Sequence, residues 1–188
     1  MIRIQIALVS LVVTVACHRT APAQRDADVA PVVRDTAGVD APLKETGLGG
    51  VPSAARTFKL HALGQRDSLR ATLRKERALW QTGSPRNYQY WLRVGCFCPG
   101  TRGWVLMEVR RGQPLRAWDR AGKSVALTDW NTFSIDGLFE NLERTVDIDG
   151  EVQVAFDPRW HFPVYISTVR RPGPDQWSII EARALRPI

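Results

Sequence analysis

The chain has 188 residues, 44% of them apolar, which is enough to bury one core of ordinary single-domain size beside a polar segment. Its formal charge is +7 and its pI about 9.9, a balance suited to anionic partners such as nucleic acid, lipid headgroups or cell-wall polymers. No Gly-Xaa-Ser-Xaa-Gly elbow, phosphate loop, zinc-helix motif or dinucleotide fingerprint occurs, which excludes the commonest motif-defined enzymes.

The N-terminus comes first. Met1-Ile2-Arg3 is short and positively charged, and Ile4 to Ala16 is almost wholly apolar. That run is too short to span a bilayer, which needs about 20 apolar residues, but it has the length of a signal-peptide hydrophobic region. Thr14-Val15-Ala16-Cys17 resembles a bacterial lipobox, with Thr14 in place of the commoner Leu. The resemblance implies a diacylglycerol on Cys17, cleavage before it and acylation, such as palmitate, on the new N-terminus. A competing reading is an ordinary secretory signal cut near Ala21-Pro22-Ala23. His18 is not the Asp that marks inner-membrane retention, which resembles the outer-membrane class. The expected location is therefore the bacterial cell envelope, lipid-anchored to the outer membrane and facing the periplasm.

Residues 18 to about 56 carry no aromatic residue and no hydrophobic period, and Pro22, Pro31, Pro42 and Pro52 recur among Ala, Asp, Thr and Gly. Such a composition cannot offset ordering entropy, so a disordered tether is expected. A flexible chain of this length spans on the order of 35 Å, from about 5–6 Å times the square root of residue number. The resulting organisation is residues 1–16 signal peptide, 17–56 lipidated cysteine and linker, and 57–188 one α+β domain.

Within the domain, Leu69, Leu73, Glu76 and Trp80 follow one helical stripe starting near Leu63, and Gly83-Ser84-Pro85 ends it. Tyr88, Tyr90, Leu92, Val94, Cys96 and Cys98 then alternate with Gln89, Trp91, Arg93, Gly95 and Phe97, as in a strand. Trp104 to Arg111 predicts the next strand, Gly112-Gln113 a hairpin turn, and Pro114 to Arg120 a third strand. Ser134 is a candidate N-cap, with Asp136 in the first turn and Ile135, Leu138, Phe139, Leu142 and Val146 as one buried helical stripe. Asp149-Gly150 turns the chain into a strand around Val152, Val154 and Phe156. Asp157-Pro158 leads to another around Val164, Ile166 and Thr168, and Trp177 to Ala182 form the last. The fold class is α+β, an antiparallel sheet of about six strands with two helices, in the order helix, three strands, helix, three strands. The helices are expected on one sheet face.

Trp80, Tyr88-Gln89-Tyr90, Cys96-Phe97-Cys98-Pro99, Ile135-Asp136-Gly137-Leu138-Phe139 and Phe156-Asp157-Pro158 ahead of Phe162-Pro163 recur in that order. In this the chain resembles an uncharacterised bacterial domain-of-unknown-function family, the one numbered 6174, common in secreted proteins and lipoproteins. The resemblance covers roughly residues 77–185. It departs at Phe156, where Tyr is expected, and at His161, where Gly is expected. It implies domain extent and export, and no activity.

Cys96 and Cys98 are two residues apart on a strand, where Cα atoms lie about 6.6 Å apart, beyond the ~5.5–6 Å that disulfides prefer. A bridge needs a bend, which Gly95 and Pro99-Gly100 allow. Export places the pair in an oxidising compartment. Three readings stand: a structural disulfide, a strained redox-active disulfide, and a thiolate site for Cu(I). The metal reading lacks further ligands, since His61 and His161 are distant in sequence, and no metal or other cofactor is expected.

Trp and Arg interleave on the opposite strand face. Trp91, Arg93, Trp104, Arg110, Arg116 and Trp118 are the candidate ligand-binding residues, since exposed aromatic patches mark binding and guanidiniums stack on indoles. The alternative is a Trp/Arg ladder that satisfies itself. Export and the lack of a recognisable motif argue against nucleic acid. The expected partners are the membrane, through the anchor, and an anionic envelope lipid, glycan or protein. Asp147-Ile148-Asp149-Gly150 lacks the remaining ligands of a calcium loop and reads as a turn. Asp136, Asp157 and Glu181 are acids that could converge in space. The balance falls on a non-catalytic binding or scaffold domain, with a periplasmic redox protein acting through Cys96/Cys98 as the alternative.

Overall fold

A computed structural model describes residues 51–96, 103–128, 133–170 and 177–188. The expected signal peptide, Cys17, nearly all of the expected linker, and Cys98 lie outside the described residues. Seven strands and two helices are described: β1 (Arg56–Lys59), α1 (Leu63–Gly83), β2 (Asn87–Cys96), β3 (Trp104–Arg110), β4 (Gln113–Asp119), α2 (Ile135–Thr145), β5 (Gly150–Phe156), β6 (Pro163–Arg170) and β7 (Trp177–Pro187). All pairings are antiparallel, in the sheet order β1-β5-β6-β7-β2-β3-β4. The α+β class and both helices match expectation. The strand count is seven rather than about six, because β1 pairs with β5 ahead of α1. The last strand, β7, is central and joins the two halves of the sheet through β6 and β2.

Both helices contribute to one core. In α1, Leu69, Leu73 and Trp80 are buried along the expected stripe. In α2, Ile135, Leu138, Phe139 and Leu142 are fully buried, with Val146 just beyond its end. They pack with Tyr88, Tyr90, Leu92, Met107, Val109, Val152, Val154, Phe162 and Ile166 from the sheet. Each such side chain contributes roughly 1.5–3 kcal/mol of burial, which is why alternation in the strands and 3.6-residue spacing in the helices select this face. Arg77 of α1 reaches both carboxylate oxygens of Glu143 on α2, at 2.8 and 2.7 Å, and holds the helices together on their outer side.

Local chemistry sets the element ends. Ser134 caps α2, its hydroxyl accepting the Gly137 N–H at 3.1 Å. Gly150 has φ +152°, and a Cβ there would lie 2.1 Å from the Val169 carbonyl oxygen, so only glycine fits. The β3–β4 hairpin turns at Arg111-Gly112, one residue before the expected Gly112-Gln113, because Arg110 pairs with Gln113. Both turn residues have positive φ, +52° and +77°, as a two-residue hairpin requires. Among the described residues, no helix is long and apolar enough to cross a membrane.

Candidate functional site

The motif residues form one connected clamp at the start of α2. Tyr88 and Tyr90 project from β2 on the core face. The Tyr88 hydroxyl accepts the Ile135 N–H at 2.9 Å, and the Tyr90 hydroxyl donates to the Phe133 carbonyl. Two backbone groups at the helix start are thereby satisfied without water. From α1, the Trp80 indole N–H donates to Asp136 Oδ1 at 3.3 Å. Trp80 meets Tyr88 edge-on at 5.7 Å and Phe162 at 6.1 Å, geometries that aromatic quadrupoles favour. Burial pushes the Tyr88 phenol well above its ordinary value. The Ile135 N–H opposes the shift and the Asp136 charge adds to it. Complete burial does the same to Tyr90. Both phenols therefore stay protonated at neutral pH.

Above this clamp lies a cleft of about 440 Å³, within the size range of small-molecule sites. Its floor is Trp80, Tyr88 and Asp136, its walls are the α1–β2 connection from Ser84 to Asn87, and its lip is the Arg111-Gly112 turn. The turn is held there by backbone groups. The Arg111 N–H donates to Asn87 Oδ1 at 3.0 Å, and the Gly112 N–H donates to the Arg86 carbonyl at 3.1 Å. The cleft thus presents two arginines, Arg86 and Arg111, against one acid, Asp136.

On the Trp/Arg face the geometry fits the second of its two readings. Register does place its residues on one side of the sheet: Arg93 faces Trp104, Trp91 faces Leu106, Leu106 faces Trp118, and Glu108 faces Arg116. They do not form an open aromatic platform, because Trp91, Trp104 and Trp118 are all buried. β7 supplies the reason. Its Glu181, 2% exposed, binds Arg93 and, at 3.1 Å, Arg183. The two guanidiniums then lie 5.1 and 5.4 Å from the Trp104 ring centre. Arg110 pairs with Glu108 at 2.7 Å, while Arg116 is exposed. This is the self-satisfied ladder, with an acid that sequence spacing did not assign to it.

The other candidates separate. Asp136, Asp157 and Glu181 each serve a different local network. Asp157 accepts the Arg159 and Trp160 N–H groups at 2.8 and 2.7 Å within its own turn. Asp147 pairs with Arg70. Cys96 ends β2 opposite Ser178, and the expected bridge to Cys98 falls outside the described residues. Among the described residues, no three His, Cys, Asp or Glu side chains gather in a way that could hold a metal. His161, where Gly was expected, has φ +62°, the conformation that glycine adopts freely. Its ring instead meets Glu76 at 2.9 Å, which explains the polar residue in the α1 stripe.

The cleft could not be read from spacing, since its walls come from α1, β2, the β3–β4 turn and α2. The available signals were the motif residues themselves and an Arg-Gly pair at a hairpin turn.

An antiparallel sheet with two helices on one face, clamped by a Trp–Asp–Tyr network beneath a basic cleft, defines a small α+β domain. The chain belongs to a family of unknown function, DUF6174, whose model matches residues 72–170, more than half of its length. No curated protein and no solved structure matches.

Proposed function

We propose that this protein is a lipoprotein of the bacterial envelope, tethered through Cys17, whose domain binds an envelope component in the cleft above Trp80, Tyr88 and Asp136. The observation that carries the binding role is the convergence of three motif side chains on the floor of one cavity of about 440 Å³ with two arginines around it. The Trp/Arg face contributes less to this reading, since its indoles are buried and Arg93 is already paired. The tether rests on the Arg3 start, the apolar run and Thr14-Val15-Ala16-Cys17. Stable anchoring takes more than one acyl chain, at about 0.8 kcal/mol per buried methylene.

Two measurements test this function. Labelled palmitate should enter the wild-type chain and be lost in Cys17→Ser; retained label overturns the anchor. In the unanchored Cys17→Ser background, Ser84→Trp, placed on the cleft wall, should abolish sedimentation of the chain with purified envelope fractions while its unfolding midpoint holds. Unchanged sedimentation overturns the binding site. The redox alternative through Cys96/Cys98 requires a pair that is reduced at mild dithiothreitol potentials.

A further inference from the structure

The cleft has a charge asymmetry that the fold does not require. Most arginines that the strands bring together are paired: Arg93 and Arg183 with Glu181, Arg110 with Glu108, and Arg186 with Gln89. Arg86 and Arg111 differ. Among the described residues, neither guanidinium has an ion-pair or hydrogen-bond partner, yet both line the same cavity.

Arg111 carries a second anomaly. It occupies the first central position of the hairpin turn with φ +52°. Glycine, asparagine and aspartate adopt that conformation cheaply, and arginine does not. The turn makes no use of its side chain. It is fixed by the Arg111 N–H on Asn87 Oδ1, the Gly112 N–H on the Arg86 carbonyl and the strand pairing itself. An arginine is therefore kept at a strained position on the cleft's lining.

We infer that the cleft recognises an oxyanion, a phosphate monoester or a carboxylate on a small hydroxylated molecule, with Arg86 and Arg111 as its anion-binding pair. This rests on the cleft being the binding site. Guanidinium groups match planar and tetrahedral oxyanions through paired N–H donors, and charge-assisted bonds of this kind are the strong ones. Asp136 is half-buried and already accepts the Trp80 N–H. It disfavours a bare anion beside it and can accept from a ligand hydroxyl. Polar hydroxyls next to the charged group are thus part of the recognition.

The test is calorimetric titration of the purified full-length chain at low salt with inorganic phosphate, glucose 1-phosphate, glucuronate and glucose. Glucose 1-phosphate or glucuronate should bind, glucose should not, and comparison of the two with inorganic phosphate assigns the oxyanion. Arg86→Met and Arg111→Asn should each weaken that binding by about 10-fold or more, as loss of charge-assisted hydrogen bonds does. Arg111→Asn should also melt at a higher temperature than wild type, since asparagine suits the turn. That combination, a more stable protein with weaker binding, is not expected of a merely structural arginine. Oxyanion affinity unchanged in Arg111→Asn overturns the inference. Glucose binding without oxyanion preference overturns it too, yet leaves the cleft as a binding site. If neither sugar nor anion perturbs the protein, the inference fails along with the cleft.

Discussion

Glu181→Ala is the substitution with the largest expected effect on this fold. The carboxylate is 3% exposed and bridges two guanidiniums, of Arg93 at 15% and of Arg183 at 18% exposure. Removing it leaves two mostly buried positive charges side by side over Trp104. At an effective dielectric of about 20, like charges about 4 Å apart repel by about 4 kcal/mol before they relax toward solvent. Breaking a buried pair by deleting one partner costs about 3–5 kcal/mol, a large share of a domain stability of about 5–15 kcal/mol. Urea unfolding followed by tryptophan fluorescence reads the loss directly. The double variant Arg93→Met with Glu181→Leu should recover part of it, since one of the two like charges is removed together with the carboxylate. A Glu181→Ala chain within about 1 kcal/mol of wild type would refute the reasoning and show the cluster to be solvent-screened.

Three further outcomes follow from single sites. His161→Ala keeps the left-handed backbone and loses the Glu76 contact, whereas His161→Gly relieves the backbone; the glycine variant should be the more stable of the two by about 1 kcal/mol in the same assay. Gly150→Ala should be strongly destabilised, by about 3 kcal/mol or more, because the new Cβ meets the Val169 carbonyl; a loss under about 1 kcal/mol would mean that β5 and β6 part easily there. Tyr88 and Tyr90 set an alkaline limit. Their phenols are raised in the folded state above the ordinary value of 10.0, so the folded chain holds protons that the unfolded chain releases. Their contribution is complete below pH 10 and declines as pH rises above it, by up to about 1.4 kcal/mol per pH unit for each phenol. Urea midpoints between pH 9 and 11.5 should fall less steeply in Tyr90→Phe than in wild type, and identical slopes would contradict the assignment.

Much of the architecture was legible because it depends on local periodicity. The stripe Ile135, Leu138, Phe139, Leu142 and the cap Ser134 are sufficient to define α2, and all behave as their spacing implies. Strand parity was legible too, placing Trp91, Arg93 and Trp104 on a common face. Their burial was not, because Glu181 and Arg183 reach them only through the pairing of β7 with β2, nearly ninety positions away in sequence. β1 has four residues and one buried side chain, Phe58, too little alternation to stand out. The cleft is a meeting of four elements, and Arg86 and Arg111 are individually ordinary surface arginines until topology brings them to one cavity.

Hydrogen exchange of the full-length chain, with and without purified envelope fractions, locates binding most directly. Slowed exchange is expected at residues 84–88 and 110–113, the cleft walls and lip, with no change along the Trp104–Trp118 side of the sheet. Protection confined to that Trp/Arg side, or none anywhere in the domain, would contradict the account.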